Sequence, residues 1–205
     1  ADVLEALGAR IDLGGEQVAN VINSCGFGFL FAQRFHPAMR HVGGPRREIA
    51  VRTMFNILGP LSNPAKPRAQ LVGVGARAIG PVVAEALALR GAGRAIVVHS
   101  NDGMDEISPA VATHAWIVGD GAVTEREISP ADFGLATHPL SAVAGGEAQQ
   151  NAGDILAILD GHDGPKTEFV LMNAAAALFV AGKTPGLAEG VTLSREAIAS
   201  GRARE

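Results

Sequence analysis

The chain has 205 residues, of which 47% are hydrophobic and 19% are charged, and this is enough to bury the core of one large domain or two small ones. Its formal net charge of −4 gives no overall positive field for nucleic acid or an anionic membrane, and no apolar run approaches the roughly 20 residues of a membrane span. A single cysteine excludes an internal disulfide and any CxxC zinc or redox motif, so we expect a soluble cytoplasmic protein without nucleic-acid or membrane partners.

Residues 1–35 predict two helices followed by a strand. "ADVLEALG" and "GGEQVANVINSCG" place apolar residues at helical spacing, and Gly8 and Gly26 provide their stops. "FGFLFAQ" has the apolar composition of a strand. The first helical pattern has neither a Met nor an N-cap before Ala1, so we expect the chain to be the later part of a longer one.

Residues 36–67 have a different texture. "HPAMRHVGGPRREIAVRTMFNILGPLSNPAKP" is rich in proline and arginine and contains two short helix-like pieces. It fits either a crossover between two lobes or an insertion that faces substrate. Arg46 and Arg47 could bind a carboxylate or phosphate as an arginine fork, or could simply form the polar face of a surface helix. His36 is the histidine that lies in this polar neighbourhood.

Residues 68–205 predict an α/β domain. The strands "AQLVGVG" and "RAIVVHS" flank the helical pattern "IGPVVAEALALRGAG", an alternation that indicates a mainly parallel sheet flanked by helices. "THAWIVGDGAVTEREIS" predicts a hairpin that turns at "GDG", between Val118 and Val123. Three helical patterns follow, "GGEAQQNAGDILAILDG", "PKTEFVLMNAAAALFVAG" and "LAEGVTLSREAIASG".

The stretch "NDGMDEIS" is a candidate metal-phosphate site because it places three carboxylates, Asp102, Asp105 and Glu106, directly after a buried strand. Ligands of open α/β sheets collect at the carboxyl ends of strands, and Mg²⁺ takes one or two protein carboxylates and keeps waters and substrate phosphates as its other ligands. Taken by itself, the pattern is also compatible with a solvated acidic turn.

Other motifs are excluded. "GVGARAIG" has Ala78 in place of the third glycine of a dinucleotide fingerprint, and no acidic residue follows at the required distance. The histidines have no HxxxH or HExxH spacing, and no serine lies in a GxSxG elbow.

The motifs "GFLFAQRFHPAMRHVGGPRREIAVRTMFNILGPLSNPA", "QLVGVG", "NDGMDEIS" and "LMNAAAALFVAGK" resemble, nearly end to end, the later two thirds of the anthranilate phosphoribosyltransferases. The resemblance implies transfer of phosphoribosyl from phosphoribosyl pyrophosphate to the amino group of anthranilate in tryptophan biosynthesis, with Mg²⁺ on the phosphates. It also implies a fold of the nucleoside phosphorylase/phosphoribosyltransferase type, in which an α/β domain joins a smaller helical domain, and a homodimer. Residues 1–35 and 68–205 would then belong to the α/β domain, and residues 36–67 would supply crossover helices of the helical domain.

The resemblance also implies roles for individual residues. Asp105 and Glu106 match the metal-binding pair, and Arg46 matches the arginine that meets the anthranilate carboxylate. Three further substrate-site positions match Ala32, Met39 and His36. No catalytic general base is implied, because an aromatic amine is a competent nucleophile once it is positioned.

One part of the family pattern is absent. The glycine-rich GTGGD loop and the Asn-Ile-Ser-Thr and Lys-His-Gly-Asn segments occur nowhere in the 205 residues. We therefore expect the chain alone to be inactive or nearly so. Two alternatives remain: a pyrimidine nucleoside phosphorylase-like enzyme, against which the match around Arg46 and Met39 argues, and a non-catalytic nucleic-acid-binding relative, which would need a basic groove.

Overall fold

The computed structural model describes residues 1–36 and 61–204. The chain divides into two compact units, one formed by Ala1–Gly59 with Gly146–Gly153 and the other by Pro60–Gly145 with Asp154–Glu205. The domain boundaries predicted at residues 35/36 and 67/68 stay a prediction, and most of the 36–67 segment lies outside the described residues.

The described part of the first unit begins with three helices, α1 (Asp2–Ala6), α2 (Gly15–Cys25) and α3 (Ala32–Phe35). The predicted stop of α2 is confirmed, because Gly26 adopts a left-handed φ of 80° and its N–H donates to the carbonyl of Ile22 at 2.8 Å.

The strand predicted in "FGFLFAQ" is wrong. The end of this run begins α3, and the residues before it pair with no strand in the described ranges. An apolar composition favours a strand only where a neighbouring strand receives the backbone hydrogen bonds, and composition cannot show whether such a neighbour exists.

The second unit contains a sheet whose strands follow chain order. They are β1 (Ala69–Gly73), β2 (Arg94–Ser100), β3 (Thr113–Gly119) and β4 (Ala122–Ile128). Helix α4 (Gly80–Leu89) connects β1 to β2, which run parallel, whereas β2 with β3 and β3 with β4 run antiparallel.

The α/β class is confirmed, but the mainly parallel sheet is wrong for the described strands. Residues 101–112 return the chain from β2 to β3 without a crossover helix, so β3 must run in the opposite direction. β3 is also nearly buried along its whole length, and burial on both faces gives an antiparallel strand the continuous apolar run typical of parallel sheets.

The predicted hairpin between β3 and β4 is confirmed. Asp120 and Gly121 form the turn with φ values of 51° and 76°, the positive pair that a type I′ turn requires. Val118 lies opposite Val123, so the register is the one that a two-residue turn predicts.

Helices cover both faces of the sheet. The three predicted C-terminal helices are confirmed as α5 (Ala148–Leu159), α6 (Pro165–Val180) and α7 (Leu187–Ala199). On one face α6 and α7 bury Leu171, Met172 and Val191 against the sheet, whereas on the other face Gly80 of α4 lies directly against the ring of Trp116.

No helix within the two described ranges combines the length and the apolar character needed to cross a membrane.

Candidate functional site

The acidic segment forms a loop at the carboxyl end of β2. Its first residues make a tight turn, in which the N–H of Ser100 donates to the carbonyl of Met104 at 3.0 Å and Gly103 has a φ of 93°. Only glycine adopts such a φ without strain, so the glycine of "NDGMDEIS" allows the chain to reverse before the two remaining carboxylates.

The three carboxylates have different surroundings. Asp102 accepts a hydrogen bond from Ser108 Oγ at 2.6 Å, so its carboxylate holds the loop together. Asp105 and Glu106 are exposed, and within the described ranges neither forms an ion pair with a basic side chain. The loop therefore presents two adjacent negative charges without a protein counter-charge among the described residues.

The pKa of Glu106 is raised above its ordinary value of 4.5. Partial desolvation is the larger cause, followed by the negative charge of Asp105 and a side-chain hydrogen bond with it, and Asp102 adds a smaller repulsion. A bound cation would remove this repulsion between the two carboxylates.

The pair fits a cation that takes few protein ligands. In the described ranges no group of three or more His, Cys, Asp or Glu side chains could hold a metal ion. A site of two carboxylates is what Mg²⁺ uses when waters and substrate phosphates complete its octahedron, whereas Zn²⁺ and Ca²⁺ usually take three or more protein ligands. The chemistry of Asp105 and Glu106 thus fits the predicted Mg²⁺ site, and their metal-binding role stays a prediction.

Buried hydroxyl groups support the loop from below. The fully buried Ser100 donates from Oγ to the carbonyl of Glu106 at 2.5 Å, and its Oγ lies 2.7 Å from the equally buried Thr113 Oγ1. The N–H of Ser108 donates to both hydroxyl oxygens at 3.1 Å. No local sequence pattern predicts this network, because its serines and threonine lie on β2, on the loop and on β3.

Two further residues that sequence reasoning missed contact the loop. At Gly73, the last residue of β1, a Cβ would overlap the carbonyl oxygen of Asp105 and lie 2.8 Å from its carbonyl carbon. This close approach explains the first glycine of "GVG", which serves no dinucleotide. Asn173 of α6 hydrogen-bonds the backbone of Ile107 from the other side.

A cavity of about 520 Å³ lies beside the pair. Besides the two carboxylates, its lining includes Leu71, Val98, Phe169, Val170 and Asn173. Its wall is thus mostly apolar with an acidic edge, which suits a ligand that combines a cation-bound anionic group with a less polar body.

Of the other predicted site residues, Ala32 and His36 lie among the described residues. Ala32 begins α3, and the N–H of His36 donates to the carbonyl of Ala32 at 2.9 Å, so these two residues lie on one helical turn. Met39 and Arg46 lie outside the described residues. The predicted substrate-binding and metal-binding roles of all six residues stay predictions.

The chain is similar to known proteins along nearly its whole length. The model of the "Glycosyl transferase family, a/b domain" matches residues 1–204. Anthranilate phosphoribosyltransferase of Rubrobacter xylanophilus is 50% identical over 204 residues, which are 99% of this chain and 60% of that protein. The enzyme of that name from Thermomicrobium roseum is also 50% identical, over 99% of this chain and 59% of its own length.

Solved structures show the same relationship. The crystal structure of anthranilate phosphoribosyltransferase from Thermus thermophilus superposes with a TM-score of 0.92 at 44% identity, over 99% of this chain and 60% of that one. The Saccharomyces cerevisiae enzyme in complex with PRPP and Mg gives a TM-score of 0.90 at 29% identity, over 98% of this chain and 58% of that one. The chain thus spans about 60% of the length of these relatives. Because the family model matches residues 1–204, the chain belongs to the glycosyl transferase family and corresponds to its α/β domain.

Proposed function

We propose that this protein acts as an anthranilate phosphoribosyltransferase of tryptophan biosynthesis. It would transfer the phosphoribosyl group of phosphoribosyl pyrophosphate to the amino group of anthranilate and release pyrophosphate. The observation that carries the proposal is the exposed Asp105–Glu106 pair at the end of β2, in a chain that is 50% identical to proteins of that name. That name favours the transferase over the nucleoside phosphorylase and the nucleic-acid-binding alternatives.

The proposed transfer requires that the two substrates are oriented and that the charge of the departing pyrophosphate is stabilised. The bond between the ribose C1 and the pyrophosphate oxygen breaks, the bond between C1 and the anthranilate nitrogen forms, and the nitrogen loses a proton. Mg²⁺, when bound, supplies charge neutralisation of the departing pyrophosphate. Asp105 and Glu106 would hold that cation beside the adjacent, mostly apolar cavity.

The residues proposed for anthranilate lie between positions 32 and 46. Arg46 would bind the anthranilate carboxylate as a bidentate fork, and Ala32, His36 and Met39 would lie near the aromatic ring. A structure of the Saccharomyces cerevisiae relative contains 4-fluoroanthranilate, which supports an aromatic amino acid as the acceptor. A cytoplasmic location, expected from the single cysteine, and a homodimer, expected from the resemblance, also belong to the proposal.

The test uses the full-length enzyme, meaning this chain together with the donor-binding segments that its 205 residues lack. It is assayed with anthranilate, phosphoribosyl pyrophosphate and MgCl₂ by the loss of anthranilate fluorescence. We expect the double variant Asp105→Asn/Glu106→Gln to lower turnover by about 100-fold or more, because it removes both charges that hold the cation. Turnover should also require a higher Mg²⁺ concentration.

Glu85→Gln is the matched control, since Glu85 is an exposed carboxylate on α4 that forms no ion pair among the described residues. It should retain normal turnover. If the double variant keeps the Mg²⁺ dependence of the wild type, Asp105 and Glu106 are only part of a solvated turn. If the wild-type enzyme does not consume anthranilate, the proposed activity itself is contradicted.

A further inference from the structure

The side-chain amide of Asn173 pairs both backbone groups of Ile107. Its Oδ1 accepts a hydrogen bond from the N–H of Ile107 at 3.0 Å, and its Nδ2 donates to the carbonyl of Ile107 at 3.2 Å. Nδ2 also donates to the carbonyl of Phe169, one turn earlier on α6, at 3.0 Å. Because Ile107 is fully buried, these backbone groups would lose their partner if the amide were removed.

We call the two hydrogen bonds between Asn173 and the backbone of Ile107 the clamp, and this clamp requires an asparagine. Only an amide side chain combines an acceptor oxygen with a donor NH₂, so an ionised aspartate could not donate to the two carbonyls. Glutamine carries the same group one methylene farther from the helix. Asparagine is also a poor helix former, and within the alanine-rich run of α6 its position is explained by contacts outside the helix.

The clamp completes a set of restraints on the acidic pair. Gly73 of β1 lies against the carbonyl of Asp105, Ser100 of β2 donates to the carbonyl of Glu106, and Asn173 of α6 pairs with the next residue. Three elements therefore hold three consecutive backbone units. Two adjacent carboxylates repel each other, and a backbone held in this way keeps them at the separation in which a cation can bind both.

We propose that Asn173 is a positioning residue, which acts through Ile107 to preset the Asp105–Glu106 pair for a divalent cation. The inference rests on the proposed function only in assigning the pair to a cation. Asn173 itself lines the cavity beside the pair, yet its amide hydrogen bonds all go to the backbone.

The test measures Mn²⁺ binding to the metal-free full-length protein by water-proton relaxation, with Mn²⁺ alone as the probe. We expect Asn173→Ala to weaken Mn²⁺ binding by about 10-fold or more, as is typical when a residue that orients metal ligands is removed. Amide hydrogen exchange in residues 101–108 should become faster. In the assay with saturating phosphoribosyl pyrophosphate, the KM for anthranilate should change less than 2-fold.

Thr167→Val is the matched control on the same helix. Thr167 is buried, and its hydroxyl donates to the carbonyl of His162 at 2.5 Å, so this variant also removes a side-chain-to-backbone hydrogen bond from α6. It should lower the Tm without changing Mn²⁺ affinity. Should Asn173→Ala fail to fold, Asn173→Ser decides the question, because a serine hydroxyl can retain the bond to the carbonyl of Phe169 while losing Ile107.

The outcomes separate the two proposals. Normal Mn²⁺ affinity in the Asn173 variant, or an equal loss in Thr167→Val, would reduce Asn173 to a structural residue and overturn the inference alone. If the wild-type protein binds Mn²⁺ no better than Asp105→Asn/Glu106→Gln, the cation assignment fails, and the inference fails with it.

Discussion

Glu106 carries a charge that lowers the stability of the metal-free fold. Its carboxyl is partly desolvated and lies beside the negative charge of Asp105, and both effects raise its pKa. The folded state therefore disfavours the charged form relative to the unfolded chain. Stability is highest while the group is protonated and is lost as the pH rises through the raised pKa.

Replacing this carboxyl by a neutral amide should stabilise the metal-free protein. We expect Glu106→Gln to raise the free energy of unfolding at pH 7.5 by about 1 kcal/mol or less, since the group is largely exposed and its repulsion is screened by water. The gain should disappear below the ordinary pKa of 4.5, where both states protonate the glutamate. Thermal unfolding of the wild type and the variant in EDTA, at pH 7.5 and at a pH below 4.5, measures this difference in stability. Glu85→Gln should show no gain, and a gain that persists at low pH would rule out charge repulsion as its cause.

Strand β1 and the acidic loop after β2 pack closely because the last residue of β1 has no side chain. Gly73 ends β1 where the loop after β2 crosses it, and the neighbour that a Cβ would meet is the backbone of Asp105. A backbone neighbour cannot rotate away as a flexible side chain can. The parallel pair of β1 and β2 therefore holds the loop in place only if β1 ends in glycine.

We expect Gly73→Ala to lower the free energy of unfolding by about 1–3 kcal/mol, the usual cost of overpacking, and to raise the Mg²⁺ concentration required for activity. Chemical denaturation and a Mg²⁺ titration of activity provide the two measurements. Gly119→Ala is the control, because Gly119 also ends a strand but a Cβ there would meet no atom within 4 Å. Equal effects of the two substitutions would refute the packing argument.

At the scale of the whole molecule, the proposed function assigns the two substrates to different parts of the chain. The carboxylates proposed for the phosphoribosyl donor are Asp105 and Glu106, whereas the residues proposed for anthranilate lie between positions 32 and 46. Substitutions in the two segments should therefore change the kinetics of different substrates.

Arg46→Ala should raise the KM for anthranilate about 10-fold or more and leave the KM for phosphoribosyl pyrophosphate nearly unchanged, because it would remove the proposed charge-assisted contact to the anthranilate carboxylate. Steady-state kinetics with each substrate varied in turn measures both constants. The adjacent Arg47→Ala is the control and should have the smaller effect. Equal changes in both KM values would count against a carboxylate contact.

Local patterns predicted much of this architecture. The helices follow from apolar spacing with glycine stops, the hairpin follows from "GDG", and the acidic loop follows from its position after a buried strand. Predictions that depend on a distant partner were wrong. "FGFLFAQ" has the composition of a strand without strand pairing in the described residues, and the mainly parallel sheet was inferred from β1, α4 and β2, whereas β3 pairs antiparallel with β2.

The sequence by itself determined the α/β class, the chemistry of the acidic pair and the resemblance that suggests a substrate, because each is carried by residue types at short spacing. Only the tertiary structure showed that β3 runs antiparallel to β2 and that Asp102 accepts a hydrogen bond from Ser108 within the acidic loop. It also showed that Gly73 and Asn173 contact the backbone of that loop. Asn173 lies 66 residues from Ile107 along the chain. Contacts over such separations depend on how the elements pack, and no local pattern of residues encodes that packing.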